Sequence, residues 1–137
     1  MTGAPQHAEW HLTETYKTLI TLTVEALKML ALVNGGAAVA VLTYLGTLSA
    51  RSPPPTHLPE IKPALLCYCG GLVATVVAFI AAYLTQLRLY DEEIALRTGT
   101  HVRRLHHVGV VMGCLLAVSA AVSFGFGCWK AAGAIVF

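Results

Sequence analysis

The side chains in this chain able to carry chemistry are four cysteines, six histidines and a short acidic run. Cys67 and Cys69 form a Cys-x-Cys pair, with Cys114 and Cys128 far downstream. Zinc sites built from cysteine bring close pairs together around a tetrahedron, and one pair with scattered partners is a weak version of that pattern. In an oxidising compartment Cys128 has the option of bridging to Cys67 or Cys69, while reduced cysteines behave as small apolar residues. His7 and His11 are spaced i,i+4 with Glu14 one turn later. That spacing can hold a metal but arises often by chance. His101, His106 and His107 share one segment with Asp91, Glu92 and Glu93. No nucleophile–base–orienter set, paired-carboxylate site or phosphate loop is present. The expectation is a protein that is not an enzyme, with no catalytic, cofactor or metal site.

The elements that position these residues are set by composition. Of the 137 residues 56% are apolar and 12% charged, the latter about half of the ~25% usual in soluble domains. Three apolar runs, 29–49, 63–87 and 108–129, each supply the ~20 residues needed to cross a ~30 Å hydrocarbon core. Segment 5–28 is helical and amphipathic, with Leu12, Tyr16, Leu19, Thr23, Leu27 and Leu30 at spacings of three and four. Glu14 with Lys17, and Glu25 with Lys28, stand on its wetter side. If this helix runs unbroken to residue 49 it far exceeds the thickness of a membrane. Segment 50–62 is Pro-rich and extended. Segment 88–107 reads as a charged helical hairpin, with Gly99 as a C-cap and Thr100 as the next N-cap. Residues 130–137 form a tail. The predicted fold is an all-α integral membrane protein. It has three transmembrane helices, a long amphipathic N-terminal helix and a helical cytoplasmic hairpin extension.

Small residues recur every fourth position in the second and third runs. They are Gly70, Ala74, Ala78 and Ala82, then Gly109, Gly113, Ala117, Ala121 and Gly125. Such rows form shallow grooves in which backbones approach closely. Ser119, Ser123 and Gly127 form a second row, and Gly35, Gly36, Ala37, Ala38 and Ala40 serve the first run. Packing of the second and third spans as an antiparallel pair is the first use expected, and contact between subunits the second. On this reading Gly113→Leu or Ala117→Leu disrupts folding or assembly, and Leu116→Ala matters less.

Positive charge favours the cytoplasmic side. Lys17, Lys28, Arg88, Arg97, Arg103 and Arg104 flank one side of the three-span layout, and Arg51, Lys62 and Lys130 the other. The N-terminus is therefore expected in the cytoplasm and the C-terminus outside. Arg103 and Arg104 are placed against lipid headgroups. The net charge of +2 gives no basis for nucleic-acid binding. The N-terminus lacks the pattern of a removable signal peptide, so the first run is expected to stay as an anchor. No histidine falls in mid-span, which argues against haem. Asn34 is the one strongly polar group near the middle of a span. It reads either as an interhelical hydrogen-bonding group or, with Thr43, as the lining of a pore.

The run at 25–45, EALKMLALVNGGAAVAVLTYL, resembles small uncharacterised bacterial inner-membrane proteins in which an amphipathic helix feeds an Asn-Gly-Gly-Ala-rich first span. The resemblance implies a bacterial plasma membrane and no activity. The function expected is that of a non-enzymatic, oligomeric accessory or assembly subunit, or a membrane-anchored effector. It would act through helix packing with copies of itself or a larger membrane complex. The alternative is a homo-oligomeric pore with Asn34 on the axis. A phage-type lysis protein ordinarily ends in a charged tail, where this chain ends in AAGAIVF. A small multidrug-type exporter needs a buried carboxylate in its spans.

Overall fold

The computed structural model describes residues 4–51, 60–99 and 106–135, apart from the side chains of 4–9, 11, 12 and 135. It contains three helices, α1 (Ala4–Ser49), α2 (Lys62–Thr98) and α3 (His106–Ile135). The described residues contain no strand. At ~1.5 Å per residue the helices are about 69, 55 and 45 Å long, and each carries a stretch long and apolar enough to cross a membrane. The amphipathic segment and the first apolar run are one continuous helix, not two elements. Pro63 lies in the first turn of α2, where its missing N–H costs nothing. The helix ends at Gly99, whose φ of 71° is the left-handed conformation of a C-cap, its N–H bonding to the Ala95 carbonyl. Thr100 lies outside the described residues.

The chain runs up, down and up. Asn34 of α1 meets Ala120 of α3 across the bundle and lies against Gly71 of α2. Tyr16 bonds to Gln86, so α2 is antiparallel to both its neighbours. α2 packs most extensively on α3, less on α1, and α1 touches α3 little.

The inward faces follow a single rule. In α1 the covered positions are Ile20, Val24, Leu27, Ala31, Asn34, Ala38, Val41, Leu45 and Leu48. In α2 they run Ile61, Ala64, Tyr68, Gly71, Thr75, Ala78, Ala82 and Thr85, and in α3 His106, Gly109, Gly113, Leu116, Ala120, Ser123 and Gly127. Steps of three and four alternate throughout, giving the repeat of about 3.5 residues that winds helices into a left-handed bundle. The seams of α2 and α3 are mostly glycine, alanine, serine and threonine, while leucine, valine and isoleucine fill most of the α1 seam and also stand exposed on every helix.

Two ends of the bundle differ. Towards the α1–α2 connection, Ala38, Ile61, Ala64 and Tyr68 form the apolar core, and the Tyr68 ring lies 5.9 Å from that of Phe124. Gly127 makes room for Tyr68, since a Cβ there would collide with the ring. Towards the other end the seam residues shrink and leave space. Gly127→Leu should destabilise the bundle by about 1–3 kcal/mol through overpacking. Gly70→Leu, which meets open space, should change thermal stability in detergent little. Equal melting temperatures for the two variants would contradict this packing.

Candidate functional site

Asn34 is a fully buried polar residue at the meeting of all three helices. Its amide nitrogen donates to the Leu30 carbonyl at 3.0 Å in its own helix and to the Ala120 carbonyl at 3.4 Å in α3. Two carbonyls on one side require the nitrogen to face them, so Oδ1 points the other way, towards α2. There it has no hydrogen-bond donor and meets Gly71, where a Cβ would overlap it. The Cα–H bond in the place of that Cβ points at the oxygen, a weak donor of the kind that recurs where helices touch. One amide thus ties α1 to both partners, and Gly71 is the notch that admits it.

A second notch lies further along. Gly109 of α3 faces Thr85 of α2, whose hydroxyl a Cβ would strike. The Thr85 hydroxyl donates to the Ala81 carbonyl at 2.7 Å, and the Thr75 hydroxyl to Gly71 at 2.8 Å. Both buried hydroxyls are satisfied within their own helix. Between Asn34 and this level the three helices part around a cavity of about 300 Å³, lined by Thr23, Ala26 and Leu27, by Ala78, Ala82, Thr85 and Gln86, and by Gly109, Val110, Gly113, Cys114 and Ala117. Its wall is overwhelmingly apolar. At the far end of the hairpin, His106 Nδ1 sits 3.0 Å from Glu92, with both side chains largely covered.

The residues singled out from spacing divide between these features and the outer surface. Ala78 is buried; Ala82, Gly113 and Ala117 line the cavity, and Gly109 forms a notch. Ala74 is half-buried, while Gly70, Ala121 and Gly125 are exposed. The ladder therefore does not lie along one contact. A fixed step of four residues advances about 40° beyond a full turn each time, so five members wind nearly half-way round the helix. Gly71, Thr75, Thr85, Ala120 and Gly127, which complete the contact, sit on the 3.5-residue seam that the four-residue rows cross.

Asn34 is enclosed by the three helices of the single chain. Thr43 is exposed, its hydroxyl bonded to the Val39 carbonyl at 2.9 Å. All four cysteines are free thiols, so no bridge joins Cys128 to Cys67 or Cys69. Cys128 Sγ instead accepts from the Tyr68 hydroxyl at 3.5 Å. Among the described residues no three histidine, cysteine, aspartate or glutamate side chains are grouped to hold a metal ion. The side chains of His7 and His11, and residues His101, Arg103 and Arg104, lie outside the described residues. No protein-family model, curated protein or solved structure significantly matches the chain.

Substitutions at the junction separate its two roles. Asn34→Leu gives up one interhelical hydrogen bond and should cost about 1 kcal/mol. Asn34→Asp removes the donor and buries a carboxyl group against the Ala120 carbonyl, and should cost more. Reversible unfolding in mixed micelles that ranked Asp above Leu in stability would contradict the assigned geometry. Because Gly113 borders the cavity with open space at its Cβ, Gly113→Leu should be tolerated, contrary to the four-residue reading. Gly109→Leu should not.

Proposed function

We propose that this chain is a three-span membrane protein without catalytic chemistry, working as an oligomeric accessory or assembly subunit through its helix surfaces. The observation that carries this reading is the inverted character of the bundle. The seams of α2 and α3 hold mostly small and hydroxyl side chains, and the outer surface holds large apolar ones, with Leu32, Leu66, Val73 and Trp129 each more than 60% exposed. In water that surface would drive aggregation. In lipid it is the natural outside, and close backbone contact is then what holds helices together.

The placement of basic residues supports an N-terminus in the cytoplasm and a C-terminus outside, and the resemblance of the run at 25–45 supports a bacterial plasma membrane. Lys130 lies 4.9 Å from the Trp129 ring and 5.4 Å from that of Phe126, an aromatic–basic group suited to the outer headgroup level. Asn34, Thr75 and Thr85, the buried polar residues among those described, lie in helix–helix contacts. The pore reading loses its axis residue to the interior, so the accessory role is the better supported of the two.

After alkaline washing the protein should remain with the membrane pellet and be released only by detergent. Recovery of folded chain in the aqueous fraction would sink the proposal. Overproduction should leave the membrane potential intact in both the natural chain and Asn34→Leu. A potential collapse abolished by that substitution would favour the pore.

A further inference from the structure

The helix contacts fix which residues of α1, α2 and α3 share a level. Asn34 is level with Gly71 and Ala120, Tyr16 with Gln86, and Thr23, Ala26 and Leu27 with Ala78, Gly113 and Cys114. The middle of the apolar run of α2 falls at Thr75 and that of α3 near Val118. On this register both are level with about residue 31 of α1, so at ~1.5 Å per residue Lys28 stands about 5 Å from the middle and Glu25 about 9 Å. A hydrocarbon layer extends about 15 Å to either side of its centre. Glu25 and Lys28 therefore belong within the apolar layer and not at its inner edge.

They form an ion pair, Lys28 Nζ to Glu25 Oε1 at 2.8 Å, with side chains 57% and 59% exposed. Neither faces the bundle. An ion pair turned towards lipid keeps unsatisfied donors and acceptors in a medium that offers none. Long side chains can lean towards the headgroups, but the demand for further polar partners remains. The pair is also electrically self-complementary. A parallel copy of α1 related by a two-fold axis sets each lysine against the carboxylate opposite, so that four charges alternate in sign around the axis.

The same face continues in the required pattern. Glu25, Lys28, Leu32, Val39, Leu42 and Gly46 are all exposed and, with half-buried Gly35 between Leu32 and Val39, follow steps of three and four. This is a second 3.5-residue seam on α1, beside the covered one. Gly35 and Gly46 have nothing within 4 Å of a Cβ position, which permits close approach without being the reason for it.

We infer that α1 pairs in parallel with α1 of a second copy of this chain, through its outward seam, with reciprocal Glu25–Lys28 bridges at the level of the membrane interior. This rests on the proposed membrane reading and deepens it by naming the face and the partner. The test uses full-length chains in native membranes, with the four natural cysteines replaced by alanine and one new cysteine per chain. Leu32→Cys and Val39→Cys should form disulfide-linked dimers on mild oxidation, and the inward-facing Ala31→Cys and Ala38→Cys should not. Glu25→Gln or Lys28→Gln should reduce the Leu32→Cys cross-link roughly tenfold, as expected for polar contacts between membrane helices. The exchanged pair, Glu25→Lys with Lys28→Glu, should restore it and so exclude misfolding as the cause of the loss. Monomer alone in the membrane pellet, cross-linking indifferent to both charges, or a cross-link to a different protein would each overturn the inference. The membrane reading would survive those results, and it would fall only with chain recovered in the aqueous fraction.

Discussion

Close approach of backbones is the constraint from which this bundle follows. In water, large apolar side chains would be drawn inward and would set the helix spacing. In the proposed membrane setting the surroundings are apolar as well, that force would vanish, and van der Waals contact and a few polar interactions would have to replace it. Three notches provide it: Gly71 receives Asn34, Gly109 receives Thr85, and Gly127 receives the Tyr68 ring. Each glycine matters because of what occupies the space where a Cβ would stand. Those without such a neighbour, including Gly70 and Gly125, carry no comparable role within the protomer.

The buried polar groups obey the same logic. Thr75 and Thr85 return their hydroxyls to carbonyls of their own helix, so they occupy seam positions with no demand on a neighbour. Asn34 cannot do this fully, because an amide has more donors and acceptors than one turn can satisfy. Its second N–H reaches Ala120 across the bundle and its oxygen rests against Gly71. The amide fixes axial register, since sliding either helix by one residue would move the carbonyl or the notch out of reach. The notches at Gly109 and Gly127 hold α2 against α3 at well-separated levels, and His106 with Glu92 adds a tie at the hairpin end.

Three apolar helices were legible in the sequence because span length and composition act locally, and Gly99 was legible as a C-cap because a left-handed residue has few other candidates. The contact seam was legible only in outline. A four-residue ladder and a 3.5-residue seam share members over one or two turns, which is why Ala78, Gly109 and Gly113 belong to both. They diverge after that, and Ala121 and Gly125 rotate to the outside while Ala120 and Gly127 stay in. Asn34 stood out as polar among apolar residues, but no local signal said that Gly71, far along the chain, would be its neighbour. The level of Glu25 and Lys28 was hidden for a related reason. Read along α1 alone they precede the most apolar stretch, and only the register set by α2 and α3 carries them inward.

That register leaves much of the surface of α1 uncovered. α2 is covered on two sides, and α3 has its long contact with α2, whereas α1 leans on α2 and scarcely touches α3. The covered seam of α1 leaves its other faces open, and they carry the Glu25–Lys28 pair at a level where α2 and α3 have no charged side chain. Moving α1 along its axis would shift Glu25 and Lys28 against the other helices but would break the Asn34 contacts with both neighbours. Keeping those contacts holds the charges in place. The contacts that fix the bundle therefore also fix where Glu25 and Lys28 stand along it.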